Sequence, residues 1–139
     1  MSIKAAIKTK IESVTEAAAV SMTLYYGHGP QEKAYPYAVL TRISGEHPYD
    51  QGGRQAYATE VFQLDLFDDS DADLETVRNG IIKEINGAGP VTWGSGDNAT
   101  KIYACIIEDS RDLTELENEG GQTSTARQTL DMRITYQLS

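Results

Sequence analysis

The side chains with the clearest chemical potential are six carboxylates that lie close together in the middle of the chain. They are Asp65, Asp68, Asp69, Asp71, Asp73 and Glu75. Carboxylate oxygens are preferred ligands of divalent cations, and a bound cation would support metal-dependent hydrolysis. An EF-hand loop beginning at Asp69 would have acidic residues at its third and fifth positions. It would then have Leu74 where glycine is required and Gly80 where the bidentate glutamate is required. The carboxylates are better explained by the start of a helix, whose dipole favours negative charge.

The histidines, the cysteine and the serines do not form a catalytic or metal-binding pattern. His28 and His47 lie 19 positions apart in loop-like sequence, and the single Cys105 cannot complete a zinc site with them. Ser95 lies between two glycines, but the G-x-S-x-G frame of a nucleophile elbow is absent. We therefore expect that the protein is not an enzyme and uses no catalytic residue, metal or cofactor.

Composition and charge narrow the class of protein further. The 139 residues are enough for one domain with a real core. The net charge of −9 argues against specific nucleic-acid binding, which needs clustered Lys and Arg. No apolar run approaches the roughly 20 residues that span a bilayer, and we see no signal peptide. We expect a soluble protein that is made in a cytoplasm and does not bind membranes.

A strand that leads directly into a helix must position the carboxylates. Apolar residues alternate with polar ones at Phe62, Leu64 and Leu66, which predicts a half-buried strand from about Tyr57 to Phe67. This alternation is irregular from Ala58 to Glu60, which predicts a bulge near Glu60 or a protruding end. The helix that follows should be capped by Ser70 or Asp71, carry an apolar stripe and end at Asn86-Gly87. The stripe consists of Leu74, Val77, Ile81 and Ile85.

The remaining patterns complete an α+β fold. An apolar stripe at helical spacing predicts an opening helix of about 17 residues; it consists of Ile3, Ile7, Ile11, Val14 and Ala18. Further strands are predicted at Tyr35–Ile43, Val91–Trp93, Lys101–Glu108 and Arg127–Leu138, with long polar loops at about 45–55 and 109–124. We expect one domain over residues 1–139: a twisted, mainly antiparallel sheet of about four to five strands with two helices packed on one face.

The strand at Lys101–Glu108 is apolar on both sides, which indicates that both faces of the sheet are covered. Strict alternation puts Tyr103, Cys105 and Ile107 on the face away from the helices, whereas Leu130, Met132, Ile134 and Tyr136 should lie under them. A neighbouring subunit would cover the other face, and tyrosine is enriched in such interfaces. The predicted interface residues are Tyr49, Arg54, Tyr57, Tyr103, Ile107 and Arg133.

Three segments together resemble the tail terminator, or tail completion, proteins of long-tailed bacteriophages. The first is the strand at Tyr35–Glu46, which opens with an aromatic residue and proline. The second is Val61–Phe67, with the Gln-x-Asp-x-aromatic pattern of that family, followed by the helix to Ile85. The third is the alternating strand at Ala126–Tyr136, near the end of the chain. The long opening helix and the acidic loop at 109–124 depart from the family's usual form.

The resemblance implies a structural role with no reaction. Tail terminators form a ring, here expected to be a hexamer, that caps the tail tube and stops its polymerisation. The implied partners are other copies of the chain, the tail tube protein and the head–tail connector proteins, and DNA only passes through the lumen. The implied location is the head-proximal end of the virion tail, after assembly in the host cytoplasm.

Three alternatives remain open at this point. A head-completion or neck adaptor protein, or another small tail-module protein, would have the same general structural role at a different position in the virion. A metal-dependent hydrolase would use the carboxylates between Asp65 and Glu75. A small ligand-binding domain of the α+β sensor type is the third.

Overall fold

A six-stranded sheet with helices on one face organises the chain. The computed structural model describes residues 3–27, 36–46, 49–50, 53–54, 57–68, 71–112 and 126–137. In chain order its elements are α1 (Ile3–Ser13), α2 (Thr15–Ala19), β1 (Thr23–Tyr26), β2 (Tyr37–Glu46), β3 (Tyr49–Asp50), β4 (Gly53–Arg54), β5 (Tyr57–Asp68), α3 (Asp71–Ile85), β6 (Val91–Trp93), a 3-10 turn (Gly96–Asn98), β7 (Thr100–Asp112) and β8 (Ala126–Gln137). The strand order in the sheet is β1-β2-β5-β8-β7-β6.

The sheet is mainly antiparallel, as predicted. Only the edge pair of β1 and β2 is parallel among the described strands of this sheet. The central pair, β5 and β8, is in unbroken register from Tyr57 opposite Gln137 to Asp68 opposite Ala126. This register aligns the even-numbered residues of both strands on one face, because directly opposed residues share a face.

That even-numbered face carries the core, which confirms the predicted packing under the helices. Helix α3 packs on β5, β7 and β8, and α1 packs on β1 and β6. The buried side chains on this face include Phe62, Leu64, Leu66, Leu130, Met132, Ile134 and Tyr136. Helix α3 buries all four residues of its predicted stripe (Leu74, Val77, Ile81 and Ile85) and ends before Gly87, whose positive φ of 78° suits glycine.

The single opening helix that was predicted is two helices. The backbone of Val14 is extended (ψ 133°), which breaks the helical path between α1 and α2. Val14 itself is buried, so the break serves packing. The stripe resumes in a new phase: Ala17 is buried, and Ala18, which the 17-residue pattern assigned to the core, is exposed.

Strand β7 does not alternate strictly, and its predicted faces were partly wrong. Its register with β8 shifts once between Ile102 and Ala104 and again between Ile107 and Asp109. Between these bulges Cys105 lies opposite Ile134 and Ile107 opposite Met132, both of which are core residues. Cys105 and Ile107 therefore lie on the helix side, while Ile106 lies opposite Arg133 on the other face.

The irregular pattern near Glu60 has a different cause from the one predicted. Strand β5 is regular there, and the irregularity lies in β2, between Arg42 and Ser44. Glu60 keeps the parity of Phe62 and is a buried acid on the core face. The sequence pattern looked irregular because a charged residue occupies a core position.

Three further elements were not predicted. The edge strand β1 lies between the opening helix and the first predicted strand, where no element was predicted, and it brings the sheet to six strands. The predicted loop at about 45–55 contains the small ribbon of β3 and β4. The first four residues of the predicted loop at 109–124 belong to β7, which continues to Asp112, and the rest of that loop lies outside the described residues. The described residues contain no helix long and apolar enough to cross a membrane.

Candidate functional site

The face of the sheet away from the helices, here called the outer face, carries half of the predicted interface residues and the first carboxylate of the acidic run. Reading across β5, β8 and β7, one row contains Val61, Arg133 and Ile106. The next row toward the middle contains Gln63, Asp131 and Asp109. A third contains Asp65, Thr129 and Arg111, so the outer face is polar in its middle.

Asp65 is the centre of a hydrogen-bond network in this polar region. Its Oδ1 accepts from the Thr129 hydroxyl at 2.6 Å and pairs with Arg127 Nη2 at 3.2 Å. Its Oδ2 accepts from Gln63 Nε2 at 2.9 Å. Both carboxylate oxygens are thus engaged by the protein itself, and the aspartate of the Gln-x-Asp-x-aromatic pattern joins β5 to β8.

Two other carboxylates of the acidic run that the structure describes lie on helix α3. Asp73 and Glu75 lie on exposed positions of α3, and Glu75 Oε1 is 3.6 Å from Arg78 Nη2. The described residues contain no group of three His, Cys, Asp or Glu side chains that could hold a metal ion. Both candidates for the predicted cap, Ser70 and the side chain of Asp71, lie outside the described residues, as does Asp69.

Beyond Asp65, the outer face ends in a row of aromatic rings. Tyr37 stacks on Phe67 across β2 and β5, with ring centroids 4.8 Å apart, and Tyr25 meets Tyr37 edge-on at 6.2 Å. The guanidinium of Arg127 lies 5.6 Å from the Phe67 ring centroid. These contacts bury most of Tyr37, which indicates a structural role at this end of the face.

The opposite end of the outer face carries exposed apolar side chains with polar groups among them, and we call it the exposed patch. Its apolar side chains are Tyr57, Val61, Tyr103 and Ile106, and its polar groups include the hydroxyl pair of Thr59 and Thr135 and the ion pair of Arg133 and Glu108. Tyr57 and Tyr103 are each 39% exposed and Ile106 is 50% exposed. The Lys101 ammonium lies 5.4 Å from the Tyr103 ring centroid, at the rim. Arg133 Nε is 3.1 Å from Glu108 Oε2, so the charges in the patch balance.

The structure therefore brings together three of the six predicted interface residues: Tyr57, Tyr103 and Arg133. Ile107 was placed on the wrong face, since the bulges of β7 turn it toward the core. Ile106 was missed for the same reason, and no signal in the sequence marks the bulges. Tyr49 and Arg54 lie opposite each other in the β3–β4 ribbon, and their side chains lie outside the described residues.

A second polar cluster lies on the core side of the sheet. Glu60 is only 1% exposed; its Oε2 is 2.9 Å from Arg42 Nε, and its Oε1 accepts a hydrogen bond from the Tyr136 hydroxyl. Burial raises the pKa of Tyr136 well above its usual value, and the bond to Glu60 raises it further. Because Tyr136 stays protonated, it is a permanent donor that satisfies the buried carboxylate. The cluster is a structural link between β2, β5 and β8.

Side chains block the edges of the sheet at three points. At the β1 edge, Leu24 N–H donates to Glu12 Oε2 at 2.9 Å. At the β7 edge, Ile107 N–H donates to Asn86 Oδ1 at 2.9 Å, and Ser110 N–H donates to Asp109 Oδ1 at 2.9 Å. The backbone of Gly87 and Ala88 also bonds to Cys105. Capped edges of this kind oppose the addition of a further strand.

A shallow groove of about 310 Å³ separates α2 from α3. It is lined by Thr15, Glu16, Gly80, Lys83 and Glu84. Its charges are mixed, and Lys10 Nζ at its border is 3.5 Å from Glu84 Oε1. Nothing in the groove combines a nucleophile, a base and an oxyanion donor, so it offers no catalytic arrangement.

Comparisons with known proteins point to the fold. No protein-family model matches the chain, and no curated protein sequence matches it. Twenty chains from solved structures do match. One belongs to a structure described as the virion of a native gene transfer agent particle, with a TM-score of 0.58, 14% sequence identity, and coverage of 96% of this chain and 92% of that chain. At this identity the likeness shows a shared fold, which extends over nearly the whole of both chains.

Proposed function

We propose that the chain is a structural protein of a phage-like virion. The observation that carries the proposal is the end-to-end fold likeness to a chain of a gene transfer agent virion. The outer face supports it, because an open apolar patch beside balanced charges suits contact between proteins and offers no site for a reaction.

The finer role is that of a tail terminator. Six copies form a ring at the head-proximal end of the tail tube, stop its polymerisation and give the surface for head–tail joining. The partners are further copies of the chain, the tail tube protein and the connector proteins. The sequence resemblance in the segments at Tyr35–Glu46 and Ala126–Tyr136 supports this role, since β2 (Tyr37–Glu46) and β8 (Ala126–Gln137) are strands of the six-stranded sheet.

A ring has a direct experimental signature. The purified full chain should give a six-subunit mass by native mass spectrometry, and negative-stain images should show rings with a central opening. A head-to-tail contact that closes after six steps gives this result. A protein that stays monomeric at its highest soluble concentration, or forms open filaments, would contradict the terminator role.

The proposal also predicts that the acidic run from Asp65 to Glu75 binds no catalytic metal ion. Mg²⁺ and Mn²⁺ should leave the melting temperature unchanged, because Asp65 is already bonded on both oxygens. A metal-induced rise in melting temperature that disappears in Asp73→Asn/Glu75→Gln would instead support the hydrolase alternative.

A further inference from the structure

We propose that the exposed patch is the surface on which a second copy of this chain packs, with Ile106 as its most exposed apolar side chain. This inference rests on the proposed structural role and adds the surface and the partner. It also moves the contact away from Ile107, which the sequence had favoured, because Ile107 packs against the core of its own subunit.

Exposed apolar side chains are concentrated in this part of the molecule. The described residues include six large hydrophobic side chains that are clearly exposed, and three of them lie in the patch: Tyr57, Tyr103 and Ile106. The register places Ile106 opposite Arg133 and Arg133 opposite Val61, and the bonded hydroxyls of Thr59 and Thr135 lie in the next row toward Tyr57. Exposed apolar side chains with polar groups among them are typical of a surface that another protein covers.

The charge pattern favours a second copy as that protein. Each subunit carries a net charge of −9, so two copies repel unless they meet where the surface is locally neutral. The outer face meets this condition, because each of its arginines is paired with an acid. Arg133 pairs with Glu108, Arg111 with Asp131, and Arg127 with Asp65. A basic partner would gain little from this face and would bind better elsewhere on an acidic subunit.

The capped edges disfavour the main alternative, which is contact by strand addition. Glu12 occupies the Leu24 N–H at the β1 edge, and Asn86 and Asp109 occupy two N–H groups at the β7 edge. Along β1 and the part of β7 beyond β6 these caps oppose strand addition, which favours contact through the outer face, since the helices already cover the other face.

The test compares Ile106→Asp with Tyr26→Asp in the full chain. Both replace an exposed apolar residue by the same charge, but Tyr26 lies on β1, far from the patch in the strand order. Ile106→Asp should fold, because the new carboxylate faces solvent opposite Arg133. It should raise the concentration at which subunits associate by at least about tenfold. Tyr26→Asp should associate as the unchanged chain does.

Circular dichroism and thermal melting check that each variant is folded, and native mass spectrometry with analytical ultracentrifugation measures association. Tyr57→Asp, at the other end of the patch, provides a second variant if Ile106→Asp folds poorly. If the unchanged chain forms rings and both patch variants also do so, the patch serves another partner, such as the tail tube protein, and this inference is wrong.

The same data separate this inference from the proposed function. If the chain associates only into dimers, and the patch variants abolish them, the patch assignment stands and the six-subunit ring does not. If the unchanged chain never associates, both proposals are wrong.

Discussion

At the scale of single residues, Glu60 shows how a charged side chain can occupy a core position. One of its oxygens faces Arg42 and the other accepts from Tyr136, so the carboxylate loses water but keeps partners. An unpaired buried charge costs several kcal/mol, whereas a paired one is close to neutral. The contribution of the cluster to the free energy of unfolding therefore depends on the presence of both partners of Glu60.

Tyr136→Phe tests this dependence. The variant keeps the ring in the core and removes the donor to Glu60, so the free energy of unfolding should fall by about 1–3 kcal/mol. Thr59→Val is the control, because it removes the half-buried hydroxyl contact between Thr59 and Thr135 on the outer face. Urea unfolding of both variants measures the difference. If both variants lost the same free energy of unfolding, the bond to Glu60 would contribute no more than the half-buried bond between Thr59 and Thr135.

Cys105 gives a prediction about alkaline pH. Burial raises the pKa of the Cys105 thiol from 9.0 to about 12. The unfolded chain therefore releases this proton at lower pH than the folded chain does. The resulting stabilisation is complete below pH 9.0 and is lost as the pH rises toward about 12.

The comparison is with Cys105→Ala, which lacks the titrating group. Between about pH 8 and about pH 10.5, the free energy of unfolding should fall more steeply in the unchanged chain than in this variant. The alanine also leaves a small cavity, which lowers stability by the same amount at each pH and leaves the slope unaffected. Parallel pH profiles would show that the thiol does not contribute.

At the scale of elements, strict periodicity could be read from the sequence and departures from it could not. Helix α3 and strand β8 were predicted because their apolar residues keep one period throughout. The break at Val14 and the bulges of β7 have no local marker, because tertiary packing produces them. Strand β1 was missed since its four residues, Thr23–Tyr26, are too few to show alternation.

In the candidate site, too, residues on regular strands could be predicted and residues beside bulges could not. Tyr57 and Arg133 lie on regular strands in continuous register, so their face could be predicted by counting. Ile106 and Ile107 lie between two bulges, where counting gives the opposite face. The partners of Asp65 could not be predicted either, because Thr129 and Arg127 are more than 60 positions away in the chain.

The capped edge of β1 can be tested by hydrogen exchange. In Glu12→Ala the Leu24 N–H loses its acceptor, and its exchange should become faster by about tenfold, as expected for a lost bond to a charged group. Lys8→Ala is the matched control, because Lys8 Nζ donates to the same oxygen at 2.7 Å and its removal leaves the acceptor of the Leu24 N–H in place. Unchanged exchange at Leu24 in Glu12→Ala would show that the cap does not protect the edge.

At the scale of the whole molecule, charge governs how copies approach one another. Each subunit has a net charge of −9, and the proposed contact contributes mainly apolar surface. Repulsion between whole subunits is long-ranged and is screened by salt, with a Debye length of about 8 Å at physiological ionic strength. Apolar contact is not weakened by screening.

Salt should therefore strengthen ring assembly. Raising NaCl from about 50 mM to about 500 mM should lower the concentration at which rings form, as measured by ultracentrifugation. Sodium sulfate at matched ionic strength should do so more strongly, since it also strengthens apolar burial. Rings that dissociate in high salt would show instead that ion pairs between subunits hold the contact.

The two bulges of β7 have a consequence for how this protein can change in evolution. Each bulge shifts the register of β7 against β8 by one residue. In the segment between the bulges this shift exchanges the two faces of the strand, so that Ile106 faces outward and Ile107 inward. Loss of one codon at Tyr103 would remove the first bulge without shortening the sheet. A lineage could thus acquire or lose such a displaced segment by a one-codon insertion or deletion, while the flanking parts of β7 keep their pairing with β8.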